Sequence, residues 1–240
     1  MTTVAVFRPA DERLDDAVAL LESLGATPVP DPMLEVDPTG VCPREDADFA
    51  VLTSKTGAEL AEAEGWDAQT TTVCAIGDPT ADALRAAGYA VDVVPEEFSS
   101  GGIVSTLEGR VDGARVEVAR SDHGSDVLTD GLNDAGAYVH ETVLYRLTRP
   151  DGAGESADRA AAGELDAALF TSSMTVENFL AAATERGVRE DALAGLNDAA
   201  VGTIGDPTRE TAAAHGIDVD VVPERADFES LARATLAAAE

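Results

Sequence analysis

The chain reads as an α/β protein built from two related units, each a parallel sheet covered by helices on both faces. Three observations predict this. Short apolar runs alternate with helical stretches along the whole 240 residues. The string Ile-Gly-Asp-Pro-Thr occurs twice, at Ile76–Thr80 and Ile204–Thr208, each copy followed by a glycine (Gly88, Gly216) and then Val-Asp-Val-Val-Pro-Glu. The copies stay in step at a spacing of 128 positions, too long for a solenoid, so one supersecondary unit has been used twice. A cleft between two such units is where function is expected.

Val4–Phe7 is expected as a buried strand and Glu12–Leu24 as a helix, with Leu14, Ala17, Val18, Leu21 and Leu24 on one face and Gly25 after it. Ala50–Leu52, Val73–Ile76 and Ala90–Val94 follow as strands, with helices over Thr56–Glu64, Pro79–Ala87 and Ser99–Leu107. Strand Arg115–Ala119, helix Ser125–Ala135 and strand Tyr138–Tyr145 restart the pattern. Ala167–Phe170, Val176–Ala183, Ala200–Ile204, Pro207–Ala214, Asp218–Val222 and Phe228–Ala238 repeat the second set.

The order of matching parts is informative. Val4–Val36 resembles Arg115–Leu147 in pattern, and Asp48–Glu108 resembles Asp166–Leu236. The chain therefore runs first half, second half, first half, second half. Asp37–Pro43 and Thr148–Asp158 are the Pro/Gly/Asp-rich linkers. Two topologies fit: consecutive domains, or a middle segment forming one domain while both ends form the other.

Composition excludes several classes. There are 46 acidic and 16 basic residues, a net charge of −30, and Lys55 is the only lysine. The acids are spread through every segment, as on a protein of a salt-rich cytoplasm, where a Debye length of about 3 Å near 1 M salt screens self-repulsion. No basic stripe is present to neutralise phosphates, which argues against nucleic acid. Cys42 and Cys74 lack metal-ligand spacing, and His123, His140 and His215 fall in unrelated contexts, so no metal site is expected. The opening apolar run is too short for a signal peptide and no stretch approaches a membrane span, so a soluble cytoplasmic protein is expected, and so much surface charge makes a monomer the default.

Gly77-Asp78-Pro79-Thr80 has the grammar of a helix start, with Asp78 as N-cap, Pro79 at the first helical position and Gly77 in the sharp turn; Gly205, Asp206, Pro207 and Thr208 repeat it. A well-made cap explains all of these except Thr80 and Thr208. A helix start at the carboxyl end of a parallel strand also presents free N–H groups where such sheets bind ligands. The clusters Thr53-Ser54-Lys55-Thr56 and Thr171-Ser172-Ser173 likewise lie between a strand and a helix. Thr56 with Glu59 fits a capping box, the plain alternative to a ligand role. Four helix starts converging on one cleft would suit an anion held mainly by backbone donors. Arg8 and Arg120 end equivalent strands and are candidate ligand contacts, as is Lys55. Tyr145 precedes Arg146 on the last strand before the second linker; its plain role is packing, with the hydroxyl on a neighbouring backbone group. No Ser-His-Asp order, P-loop or dinucleotide fingerprint is present, which leaves proton transfer and conformational control.

At this point the chain resembles the uroporphyrinogen-III synthase family. The resemblance rests on Phe7-Arg8-Pro9, on Val51-Leu52-Thr53-Ser54 with Leu169-Phe170-Thr171-Ser172-Ser173, on both Ile-Gly-Asp-Pro-Thr turns with their Val-Asp-Val-Val-Pro-Glu segments, and on Val143-Leu144-Tyr145-Arg146. Each motif is weak alone; their number and order over nearly the whole chain make the match. It implies two flavodoxin-like domains joined by a two-stranded connector, residues 1–36 with 150–240 and residues 40–146 between, with linkers 37–43 and 148–158 and the active site in the interdomain cleft. It implies a cofactor-free lyase that dehydrates hydroxymethylbilane, inverts its last pyrrole ring through a spiro intermediate and closes uroporphyrinogen III, with hand-over from hydroxymethylbilane synthase. The family's tyrosine falls on Tyr145, as hydrogen-bond donor or acid; phenols titrate near about 10, so such a catalyst is modest. The family's cleft-lining hydroxyls fall on Thr53, Ser54, Thr80, Thr171, Ser172 and Thr208, with Gly77 and Gly205 opening the turns; Ser173 beside them is a further candidate substrate contact. Domain closure about the linkers is expected to supply much of the rate.

The rival reading is a non-enzymatic two-domain binder of a small anionic ligand. A second is an enzyme of the same fold acting on another anion, such as a phosphate ester.

Overall fold

The computed structural model describes residues 1–68 and 70–239. In chain order the elements begin with β1 (Thr3–Phe7), α1 (Glu12–Ser23), β2 (Thr27–Pro30) and β3 (Glu35–Pro38). Next come β4 (Phe49–Leu52), α2 (Lys55–Ala63), β5 (Thr72–Ala75), α3 (Asp78–Ala86), α4 (Ser100–Leu107), β6 (Arg115–Ser121), α5 (Asp126–Asp134) and β7 (Tyr138–Thr148). The chain closes with α6 (Glu155–Ala161), β8 (Ala167–Phe170), α7 (Ser173–Glu185), α8 (Arg189–Asn197), β9 (Ala200–Thr203), α9 (Asp206–Ala214) and α10 (Phe228–Ala238).

Two compact units result: Met1–Glu35 with Thr148–Glu240, and Val36–Leu147. The first has sheet order β2-β1-β8-β9, the second β3-β7-β6-β4-β5. Without β3 the two orders are the same, with β7-β6 standing for β2-β1 and β4-β5 for β8-β9. Register makes the match residue by residue. Val4 pairs with Ala167 in the first unit as Val116 pairs with Phe49 in the second, so Phe7 corresponds to Ala119 and Phe170 to Leu52. The same wound unit is thus read from different starting points, with one copy inserted into the other.

Strands buried on both faces read as near-continuous apolar runs, as the central strands β1, β8 and β4 do. In the first unit Ala5, Phe7, Phe170 and Val201 share one core with α7 and α8, while Val4, Val6 and Leu169 pack with α1 and α10. In the second, Ala50, Leu52, Ala75 and Ala119 pack with α2 and α3, and Val51, Cys74 and Val118 pack with α4 and α5.

Several local expectations are corrected. Ala90–Val94 and Asp218–Val222 are not ladder strands; each contributes a single bridge, Cys74 with Val93 and Gly202 with Val221. Each run is cut short by proline, at Pro95 and Pro223, which cannot donate to a ladder. The expected linkers are partly regular structure. Residues 35–38 form β3 beside the far half of β7, where Thr39 N–H donates to Leu144 O at 3.0 Å and Thr148 Oγ1 to Glu35 at 3.3 Å, so these segments run in opposite directions. Glu155–Ala161 is helical because the buried Asp31 carboxylate accepts from Gly154 N–H at 2.9 Å and Ser156 N–H at 2.8 Å, capping α6 from outside its own sequence. Helix α8 was not expected; it begins at Val188 with no side-chain cap to announce it. Both cysteines are free, Cys74 buried with its thiol pushed up to about 12 by burial.

Candidate active site

Strands in register end together, so their exit loops share one edge of the sheet. In the first unit Phe7, Phe170 and Thr203 are mutually registered, which places Arg8, Thr171 and Ile204 side by side. In the second, Leu52 is registered with Ala75 and Ala119, which places Thr53, Ile76 and Arg120 together. Within each unit the expected residues therefore do gather at the carboxyl edge.

Their roles divide. Most helices begin with a side-chain cap: Asp11, Ser54, Ser99, Ser125, Ser172 and Asp227 each accept an amide of their own first turn. Helices α3 and α9 do not. Their N-caps are Gly77 and Gly205, with extended φ of −175° and −173° and no side chain to offer. Asp78 and Asp206, expected as caps, are instead the first helical residues, because the turn already bends at the glycine. The first-turn amides of Asp78, Thr80, Asp206 and Thr208 consequently have no side-chain cap, at the positive end of a helix dipole. Uncapped helix starts of this kind are positions at which proteins bind anions.

The hydroxyls of Thr80 and Thr208 do not line an open surface; both residues are 3% exposed, backbone included. Thr171 Oγ1 donates to Phe7 O at 3.2 Å, and Ser173 Oγ donates to Pro207 O at 3.2 Å while accepting from Thr211 Oγ1. These two hydroxyls tie neighbouring turns together. Ser172 caps α7 in a capping box with Thr175. Thr53 is half-buried. Thr56 is not a cap, since α2 already starts at Lys55 with Ser54 before it. Lys55 is exposed and lies 3.4 Å from Glu59.

The two arginines differ. Arg8 stands one residue beyond β1, half-buried, with its guanidinium over the Phe228 ring at 4.9 Å; burial, then Arg13, lower its pKa. Arg120 corrects the expectation of a ligand contact. Strand β6 runs on through Ser121, so Arg120 lies inside the sheet rather than past its end, and is 5% exposed. Its guanidinium donates to Ser125 O at 2.6 Å and to Glu141 at 2.6 Å, clamping the β6–α5 loop.

Tyr145 reaches the edge through an irregularity. The β6–β7 register shifts between Arg120 and Ser121, which sets Tyr145 opposite Ser121 and leaves Leu144 and Tyr145 both buried. The Tyr145 hydroxyl donates to Ser54 Oγ at 3.0 Å, not to a backbone group. Ser54 Oγ also accepts from Gly57 N–H at 2.9 Å. Sequence reading missed this junction, because the two residues lie 91 positions apart. It also missed Phe98, 56% exposed, whose ring lies against Gly77: a Cβ there would stand 3.0 Å from Phe98 Cγ.

Fold and edge together define a duplicated, doubly wound α/β protein whose units each present a glycine-capped helix start. A family model described as uroporphyrinogen-III synthase HemD matches residues 15–233, and the chain belongs to that family. A putative uroporphyrinogen-III synthase of Methanothermobacter thermautotrophicus is 33% identical over 238 positions, covering 92% of each chain. The uroporphyrinogen-III synthase of Synechococcus elongatus is 29% identical over 210 positions, covering 80% of this chain and 79% of that one. Among solved structures, a uroporphyrinogen III synthase mutant from Thermus thermophilus has a TM-score of 0.69 at 20% identity, covering 99% of this chain and 98% of its own. The Helicobacter pylori uroporphyrinogen-III synthetase has a TM-score of 0.63 at 17% identity over 99% of both chains. At those identities the structures establish the two-domain α/β fold.

Proposed function

We propose that the protein converts hydroxymethylbilane to uroporphyrinogen III, as a cofactor-independent lyase of tetrapyrrole synthesis. The observation that carries this reading is the pair of uncapped helix starts, at Gly77 and Gly205, set at the carboxyl edges of two copies of one sheet. A linear tetrapyrrole carrying acetate and propionate arms is a flexible polyanion, and amides at dipole ends receive carboxylates without needing lysine or arginine. Each unit carries donors of its own at that edge: the Asp78 amide with Thr53 in one, and the Asp206 amide with Arg8 and Ser172 in the other. Lys55, exposed beside Ser54, is a further contact for an acidic arm. Water leaves the hydroxymethyl carbon, and the substrate is held bent so that the last ring closes inverted.

Conformational control supplies much of the rate, because the dehydrated intermediate closes unaided to the uninverted isomer. The net charge of −30 supports a salt-rich cytoplasm as the working environment and a monomer as the working state. Among the described residues no helix is long and apolar enough to cross a membrane. Receipt of substrate directly from hydroxymethylbilane synthase belongs to the same reading.

The test is to feed hydroxymethylbilane, generated in a coupled assay, and separate the products. Isomer III is expected; isomer I alone, the spontaneous product, marks a binder and overturns the reading. The melting temperature is expected to rise between about 0.1 M and about 2 M KCl as self-repulsion is screened. A flat or falling response removes the salt assignment.

A further inference from the structure

A hydroxyl carries one proton and two lone pairs. At Ser54 both lone pairs are occupied by donors, the Tyr145 hydroxyl at 3.0 Å and the Gly57 amide at 2.9 Å. The Ser54 proton is therefore shared with neither of them, and Ser54 is half-buried, whereas Tyr145 is 6% exposed. We propose that Ser54 is the catalytic residue that donates a proton to the departing hydroxyl of the substrate, and that Tyr145 is a positioning residue acting through it. The proposal rests on the synthase reading above and deepens it.

Two donors aimed at Ser54 Oγ draw charge from it, and the start of α2 adds its positive end, so the remaining O–H becomes a stronger, directionally fixed donor. Gly57 permits the approach, since a Cβ there would meet Ser54 Oγ at 3.0 Å and Leu144 Cδ1 at 3.4 Å. The corresponding Ser172 accepts from Thr175 N–H, and among the described residues no tyrosine donates to it. The step balances within the substrate and these two residues. The C–O bond of the hydroxymethyl group breaks with its electron pair on oxygen, which takes the Ser54 proton and leaves as water. Ser54 takes the Tyr145 proton. The pyrrole N–H proton, lost as the exocyclic double bond forms, returns through solvent to Tyr145.

The experiment uses Ser54→Gly, Ser54→Thr, Tyr145→Phe and the Ser54→Gly/Tyr145→Phe double variant of the full chain, read as initial rates of isomer III formation. Glycine caps nearly as well as serine, so Ser54→Gly keeps the helix start and removes only the hydroxyl. Its kcat is expected to fall about 100-fold at unchanged KM, the low end of proton-donor effects. Ser54→Thr is expected to restore kcat to within about threefold of the parent. Tyr145→Phe is expected to lower kcat about tenfold, and to add nothing in the glycine background. A Ser54→Gly variant with parental kcat, or with a raised KM alone, overturns the assignment of Ser54. Multiplying effects in the double variant overturn the action of Tyr145 through Ser54. Should the parent form only isomer I, the synthase reading fails first, and the two failures remain distinct.

Discussion

The two units share one winding but fill it differently. In the first, Phe7 and Phe170 stack with centroids 4.6 Å apart and Phe179 meets both edge-on. At the corresponding places the second has Ala119 and Leu52. That smaller pair packs with Tyr145, whose hydroxyl bonds Ser54. Polar groups follow the same division. Strand β1 has Ala5 where β6 has Glu117, fully buried with His140 Nδ1 at 2.7 Å. Thr171 and Ser173 at the β8 turn serve backbone carbonyls, and Ser172 accepts, among the described residues, only from Thr175 N–H, whereas its counterpart Ser54 also accepts from Tyr145. Both units keep an uncapped glycine turn, and the packing beneath the two sheets' edges differs. The uncapped turns differ too, Gly77 being covered by Phe98 and Gly205 having only Pro207 Cδ at 3.9 Å from where its Cβ would stand.

The largest effect is expected where the second unit's residue is moved into the first. Gly202 occupies the place of Cys74, and a Cβ on it would lie 2.0 Å from Thr235 Oγ1. Gly202→Cys is expected to destabilise the protein by about 3 kcal/mol through overpacking, read as a lowered denaturation midpoint. A midpoint like that of the parent means the helix–sheet spacings of the two units are the same after all.

Moving the first unit's packing into the second probes the chemistry. Ala119→Phe is expected to displace Tyr145 from Ser54, at about 1–3 kcal/mol. Isomer III formation should fall at least as far as in Tyr145→Phe. Retained activity in a folded Ala119→Phe protein separates the small pair from the tyrosine.

The smallest change is at the cover. Phe98→Ala is expected to alter stability by less than about 0.5 kcal/mol, since the ring is mostly exposed. Hydrogen exchange at the Asp78 and Thr80 amides should quicken toward the rates at Asp206 and Thr208. Unchanged exchange shows that Phe98 does not shield its turn.

Much of this was legible in the chain itself. The alternation of apolar runs and helices, the repeated Gly-Asp-Pro-Thr turns and the broken order of matching halves specify the sheets, because strand burial and glycine turns are local properties. Arg120 illustrates where that ends. Its likeness to Arg8 is real in pattern, but β6 runs one residue beyond it, to Ser121, which turns an edge group into a buried clamp. The caps also moved by one residue at both turns, since Gly77 and Gly205 accept the bend before the aspartates do. Helix α6 hid inside an expected linker because its cap, Asp31, is 123 positions away from Gly154.

Local chemistry along the chain thus determined the repeated unit, its turns and the supply of backbone donors. Tertiary structure alone decided which hydroxyls stay free and which arginine is buried, and it brought Tyr145 to Ser54. The reason is physical: a side chain's proton direction and solvation depend on partners from strands far apart in sequence, and only the register and its shift bring those partners together.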